Sequence, residues 1–251
     1  MENFKAKAFS YKAFIEIFGH LFLVMEPKIF YHKCLEKHGK QEKADKFGFK
    51  AVKKWAKFAV NAAGLKITVE GLEKIPKDRP VLFTPNHQSY ADIPVLLHAL
   101  SDFDFGFLMR MQLNKFFAIE QISHIIKCVP INQENPREGV KALNKTAEQI
   151  KNGFSMVVFP EGKRGFSNTP DEFKNGAFKI VQKTGVTVVP IYLRNVHKAL
   201  EGSNNVITPT DIKITILDPI ETSDMNREQV KALNEKVHKL ILEESQKYEE
   251  E

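Results

Sequence analysis

Six short apolar runs between residues 64 and 220, with helical stretches between them, limit what this chain can fold into more than any other feature. "KITVEG" (66–71) alternates like a strand, and "PVLFTPN" (80–86), "FGFLM" (105–109), "SMVVFP" (155–160), "GVTVVPIYL" (185–193) and "IKITILDP" (212–219) also read as strands. One intervening helix has Asn135 as N-cap, Pro136 at its first position and Glu138 just after, with Val140, Leu143, Ala147 and Ile150 as its apolar stripe. A second is expected over Glu172–Lys183. A third starts near Asn226, with Val230, Leu233, Val237 and Leu240 facing inward. Strands alternating with helices argue for a layered α/β domain whose mixed sheet is mostly parallel and flanked by helices. With 251 residues, 43% of them hydrophobic, the chain can build such a core without disulfides or metals. Its two cysteines, Cys34 and Cys128, fit neither a disulfide framework nor a metal site and suit a reducing compartment.

The N-terminal quarter differs from the rest. Residues 1–62 hold 13 lysines, no arginine and 6 acidic residues, a net charge of +7, against 24 basic and 25 acidic residues in the remainder. Such asymmetry points to an anionic surface as partner. Two helices are expected here. One runs from Phe4 to Phe30 through the apolar block "FIEIFGHLFLVM" and is interrupted near Pro27. The other runs from Lys43 to Ala63, with Phe47, Ala51, Trp55, Phe58 and Ala62 on one stripe flanked by lysines. A basic helix with Trp and Phe on its apolar face has the form of an interfacial membrane binder, and a hairpin packed on its own domain is the alternative. Nucleic acid is disfavoured, because the region has no arginine to read it. No run of eighteen apolar residues argues for a spanning helix, and Glu16 and His20 with no small-residue cleavage site argue against a signal peptide. The expectation is a segment over 1–63 held at the cytoplasmic face of a membrane, followed by a domain over 64–251.

In "TPNHQSYADIP" (84–94), His87 falls in a strand-to-helix turn, at the strand end where α/β proteins place their sites. Asp92, five residues on, lies within reach of one imidazole nitrogen, which would fix the tautomer and favour the imidazolium. The residues alone leave two readings open: a proton-transfer pair, or a helix-start aspartate near an ordinary turn histidine. In "VVFPEGKRGFSNTP", Pro160 ends a strand, Gly162 permits a tight turn, and Lys163 and Arg164 are exposed at its tip. Arg164 suits bidentate contact with phosphate, and Glu161 could position it or accept a hydrogen bond; a plain charged loop is the alternative. There is no G-x-S-x-G, H-E-x-x-H, Walker A or G-x-G-x-x-G pattern, and the other histidines lack metal-ligand spacing.

Together the motifs resemble a family. "NHQSYADIP" is similar to the N-H-x-x-x-x-D block of the glycerolipid acyltransferases, "VFPEGKRGFS" to their F-P-E-G-T-R-S block and "VTVVPIYL" to their V-P-V/I block, in the family's order and over residues 64–220. The resemblance is nearest to the bacterial 1-acylglycerol-3-phosphate (lysophosphatidate) acyltransferases. It implies His87 as general base, Asp92 as its orienting partner, and Glu161, Gly162 and Arg164 as phosphate-site residues. Where the family's second block has K-x-E-L and I-D-R, this chain has "RMQL" (110–113) and "INQ" (131–133). Arg110 keeps the positive charge, Asn132 and Gln133 replace an acid and a base, and Arg137 and Lys163 are the cations available to compensate. The implied reaction moves an acyl group from a thioester of coenzyme A or acyl carrier protein to a lysophospholipid hydroxyl, with no metal or redox cofactor. A different lysolipid or glycerol-phosphate acceptor, and a non-catalytic lipid carrier of the same fold, are the rival expectations.

Overall fold

A computed structural model describes residues 2–112 and 117–248. Leu113 of "RMQL" lies outside them, as do the last three glutamates. The chain begins with helix α1 (Glu2–His20), a π turn over Leu21–Met25, helix α2 (Glu26–Lys37) and helix α3 (Gln41–Ala62). Pro27 does not end the first helix. A proline inside an α-helix clashes with the carbonyl four residues back and cannot bond to it. The π turn immediately before Pro27 shifts the bonding pattern there, and the chain stays helical to Lys37. The result, Phe4–Lys37, is a 34-residue helix long and apolar enough to cross a membrane by length and composition, although the sequence argued against a span.

A seven-stranded sheet follows, in the order β1 (Lys66–Glu70), β7 (Asp211–Ile216), β6 (Thr187–Arg194), β2 (Val81–Pro85), β5 (Ser155–Val157), β3 (Phe105–Arg110) and β4 (Val129–Ile131). β6 and β7 pair antiparallel and every other neighbouring pair is parallel, so the sheet is mixed and mostly parallel, as the alternating pattern implied. Its central strands are buried on both faces. Along β2, Val81 and Phe83 join one core while Leu82 joins the other; along β6, Val189, Ile191 and Leu193 oppose Val188 and Tyr192. The first core is closed by α2, α3, α4 (Asp92–Ala99) and α5 (Phe117–Ile125), the second by α6 (Pro136–Lys151), α7 (Lys179–Thr184) and α8 (Arg227–Gln246).

The α6 cap forms as expected: Asn135 Oδ1 accepts from the backbone N–H groups of Arg137 (3.1 Å) and Glu138 (3.4 Å). The inward stripe is rotated, with Ala142, Thr146, Ala147 and Ile150 buried and Val140 exposed. The helix expected over Glu172–Lys183 shrinks to Lys179–Thr184. Gly176 weakens its first half, and the backbone there finds other partners: Lys174 N–H donates to the Pro160 carbonyl (2.9 Å) and Asn234 Nδ2 to the Phe173 carbonyl (2.8 Å).

The largest departure concerns α3. Its buried face is Ala44, Gly48, Phe49, Ala51, Val52, Ala56, Ala59 and Val60, of which Phe49, Ala51, Val52, Ala56 and Val60 join the first core, so Ala51 alone of the expected stripe is fully buried. Phe47, Trp55 and Phe58, expected to face a membrane, are half-buried at its margin. In this quarter the apolar surface left open belongs to α1, the π turn and α2, where Phe4 is 79%, Leu23 80% and Phe30 70% exposed.

Candidate active site

Parallel β2, β5 and β3 lie side by side, so their carboxyl ends meet on one edge of the sheet. The turn after β2 carries His87, the loop after β5 carries Glu161 to Arg164, and β3 ends on Arg110. The β2 turn is tied to the sheet by its own side chains. Asn86 exchanges two hydrogen bonds with the Leu193 backbone, Nδ2 donating at 3.0 Å and Oδ1 accepting at 2.7 Å, and Gln88 Nε2 donates to the same carbonyl at 2.6 Å.

Asp92 opens α4 and points back into the turn. Its Oδ2 accepts from the backbone N–H of Gln88 (2.7 Å), the backbone N–H of Ser89 (3.1 Å) and His87 Nδ1 (2.7 Å). An oxygen that receives two backbone donors acts as acceptor for the third, so the imidazole proton sits on Nδ1 and Nε2 is left as the basic nitrogen. Asp92 is fully buried. Burial raises its carboxyl pKa, and the bond and charge of His87 with the two backbone donors pull the other way. The His87 ring stacks on Phe159, centroids 3.9 Å apart, which fixes its plane.

Glu161 was expected among the phosphate-gripping residues. It is buried instead, and its Oε1 accepts the His87 backbone N–H at 2.8 Å. Gly165 N–H donates to the His87 carbonyl at 2.8 Å, so the two motif loops are stitched together on both sides of the histidine. Burial pushes the Glu161 carboxyl up to about 8, helped by the nearby charges of Asp171 and Asp92 and opposed by the His87 and Asp171 backbone donors. Gly162 has a φ of 69°, a conformation that favours glycine, and its carbonyl accepts from Arg110 Nη2 at 2.8 Å.

These residues border one cleft of about 470 Å³. His87, Arg110, Lys163 and Arg164 line it with Gln112 and Gln133, and Ile93, Phe107, Met109, Ile131 and Phe166 give it an apolar wall. Lys163 pairs with Asp171 at 2.9 Å. Asn132 turns aside and bonds Glu138 at 2.8 Å; Arg137, the other candidate to compensate, is not among the lining residues. Arg164 Nη1 donates to Glu201 Oε1 at 2.7 Å, and its guanidinium lies 3.6 Å from the Tyr90 ring centroid. Glu201 had no signal in the sequence, since it follows β6 in a loop without a motif. Tyr90 and Phe159 lie inside the two motifs, where nothing in the sequence sets them apart. Among the described residues no group of three or more His, Cys, Asp or Glu is arranged to hold a metal ion.

The family model described as Acyltransferase matches residues 66–194, slightly more than half of the 251 residues. The chain belongs to the acyltransferase family. The matched span contains His87, Asp92, Arg110, Glu161 and Arg164, so the clustered residues are those of the family domain. A chloroplastic 1-acyl-sn-glycerol-3-phosphate acyltransferase of Arabidopsis thaliana is 34% identical over 180 residues, covering 71% of this chain and 50% of that protein. A 1-acyl-sn-glycerol-3-phosphate acyltransferase of Borreliella burgdorferi is 25% identical over 182 residues, covering 70% and 72%. The chain spans about half the length of the plant relatives it matches. The crystal structure of the acyltransferase PlsC from Thermotoga maritima superposes with a TM-score of 0.84 over 99% of this chain and 98% of that one, at 24% identity, and shares the fold.

Proposed function

We propose that this acyltransferase-family chain transfers a fatty acyl group from a thioester of coenzyme A or acyl carrier protein to the sn-2 hydroxyl of lysophosphatidate. The observation that carries the reading is the His87 Nδ1–Asp92 bond at the edge of a cleft that is cationic at one end and apolar along its wall. A thioester is already activated, so no acyl-enzyme is required. His87 Nε2 takes the acceptor's hydroxyl proton as that oxygen attacks the thioester carbon. When the carbon–sulfur bond breaks, the imidazolium returns the proton to the departing thiolate. Asp92 stabilises the imidazolium between the two steps. Arg110, Lys163 and Arg164 are the cations available to the acceptor's phosphate, and anchoring it brings the hydroxyl to the base.

The acceptor is a lipid, and the open apolar side chains from Phe4 to Phe30 support a membrane surface as partner; the proposal places the chain at its cytoplasmic side, attached along these helices rather than through them. This narrows the membrane contact expected of residues 1–62 to the helices whose large side chains are exposed. The lysines of α3 remain available to anionic headgroups.

Thiol release by the purified protein, with lysophosphatidate and either donor, tests the reaction. Release that requires both substrates is expected, and none above background with either donor overturns it. Because the amides of Gln112 and Gln133 border the cleft, glycerol 3-phosphate and a lysolipid with a larger, hydroxylated headgroup belong in the same assay. Vesicle pelleting tests the membrane contact. Leu23→Ser with Phe30→Ser should lower the partition coefficient roughly 10²–10⁴-fold, from about 1.5–3 kcal/mol for each of the two large side chains withdrawn from an apolar phase. Unchanged pelleting would remove α1 and α2 from the reading.

A further inference from the structure

Arg164 is held differently from the other cations of the cleft. Lys163 makes an ion pair on the outer surface, and Arg110 donates to one backbone carbonyl. Arg164 is bonded at one nitrogen by Glu201 and lies over the Tyr90 ring, its guanidinium carbon 3.6 Å from that ring's centroid and 5.2 Å from that of Phe166.

The position of Glu201 has a local cause. β6 ends at Arg194, and Asn195, Asn204 and Asn205 all take positive φ, between 55° and 68°. Asparagine tolerates that conformation better than most residues, and the three positions fold residues 195–205 into tight turns. Glu201 then meets the His87–Asp92 turn. Its Oε2 accepts from Ser89 Oγ, and its Oε1 accepts from the Tyr90 backbone N–H at 3.0 Å as well as from Arg164. The carboxylate is therefore fixed by the catalytic turn before it touches the arginine. The Glu201 side chain is 11% exposed and that of Arg164 24%, so the pair is partly withdrawn from solvent screening.

We infer that Glu201 is a positioning residue, which fixes the Arg164 guanidinium against Tyr90 so that its remaining N–H groups meet the phosphate of the acceptor. A guanidinium has five N–H donors, and Glu201 engages one nitrogen. The Tyr90 face sets the plane and Glu201 sets the rotation within it, which leaves the rest of the fork for bidentate contact with an anion. Glu201 lies beyond the span matched by the family model, so the family's arginine is oriented here by a residue outside that domain pattern. The inference rests on the proposed lysophosphatidate reaction.

The test compares Glu201→Ala, Glu201→Gln, Arg164→Ala and the Glu201→Ala/Arg164→Ala double variant. Acceptors are a short-chain lysophosphatidate and an uncharged monoacylglycerol. Glu201→Ala should raise the lysophosphatidate KM about tenfold and leave kcat within about twofold. The donor KM should not move. Glu201→Gln, whose amide oxygen still accepts from Arg164, should stay near the wild type. Monoacylglycerol should not distinguish the variants, and Arg164→Ala should show no further loss when Glu201→Ala is added. A fall in kcat with KM unchanged would assign Glu201 to the turn's structure and overturn the inference. So would a loss that persists in the Arg164→Ala background, or a lowered KM in both Glu201 variants, which would mean that it only screens charge. If the wild type releases no thiol with any acceptor, the proposed reaction fails. Calorimetric binding of the short-chain lysophosphatidate then decides about Glu201, with about tenfold weaker binding by Glu201→Ala in favour and equal binding against.

Discussion

At the His87 end of the cleft the functional groups are buried and bonded to one another; at the Arg110 end the cations are open and held by few contacts. Asp92 and Glu161 are almost wholly buried; Asp92 accepts from the Gln88 and Ser89 backbones and the His87 ring, and Glu161 accepts from the His87 backbone. Arg110 and Lys163 are exposed, with one carbonyl and one surface carboxylate as partners. The difference follows from what each end has to do. In the proposed reaction a proton moves only between atoms at hydrogen-bond distance, so a base at His87 needs one geometry, and its desolvated partners would hold it there. In the same reaction a headgroup charge is felt over a longer range, so Arg110 and Lys163 can stay loosely held beside the one cation, Arg164, that is fixed by Glu201 and Tyr90.

That contrast is broken most directly at His87. His87→Ala leaves its backbone N–H on Glu161 and its carbonyl on Gly165, so the turn should persist while thiol release falls roughly 10²–10⁴-fold. A variant that folds and still transfers acyl groups at the wild-type rate would mean that the buried end is only structural. Asp92→Ala should cost stability as well as rate. It strands two backbone donors, each costing about 1–3 kcal/mol when buried and unpaired. Its melting temperature, measured beside that of His87→Ala, separates the two roles.

The buried end was the more legible in the sequence, for a physical reason. His87 and Asp92 belong to one strand-turn-helix unit, and five residues of local geometry bring them together. The parallel sheet was legible for a similar reason, since apolar runs buried on both faces mark its strands. That Glu161 would lie beside His87 was partly legible from its motif but its burial was not, because burial of a carboxylate beneath a turn depends on how two distant loops meet. Glu201 reaches Arg164 across 37 positions, through turns set by asparagine dihedrals that no periodicity reveals. The helices of the N-terminal quarter teach the same lesson. α3 and the α1–α2 pair both read as apolar and basic, yet α3 buries its apolar face in the first core, while the stretch from α1 to α2 buries only part of its apolar surface, such as Ile29 and Leu35, and leaves Phe4, Leu23 and Phe30 open. Which amphipathic helix packs inward is decided by tertiary partners, and a single helix's pattern does not contain them.

The anion end gives smaller effects. Arg110→Ala should raise the acceptor KM about tenfold with kcat little changed, the signature of lost ground-state binding. A matching fall in kcat would instead show that Arg110 acts in the transition state and that the two ends are not separable. Lys163→Ala removes an exposed ion pair of the kind that contributes about 0–1 kcal/mol, so acceptor KM should change by about twofold or less. A larger effect would identify Lys163 as a phosphate contact that leaves Asp171 when the acceptor binds.

Glu161 offers the finest test, because Glu161→Gln keeps an oxygen for the His87 N–H and removes only the titration. With its pKa pushed up to about 8 from the usual carboxylate value of 4.5, the folded chain holds this proton more tightly than the unfolded chain does. Between those two values the native state binds more protons, so stability from this group declines as pH rises and levels off above about 8. Glu161→Gln has no such decline. Its melting temperature relative to the wild type should therefore climb from pH 5 to pH 8 and then stay flat. A difference independent of pH would mean that Glu161 is ionised in the folded protein at neutral pH. The buried end would then carry a second negative charge beside Asp92, and both carboxylates, not Asp92 alone, would favour an imidazolium at His87.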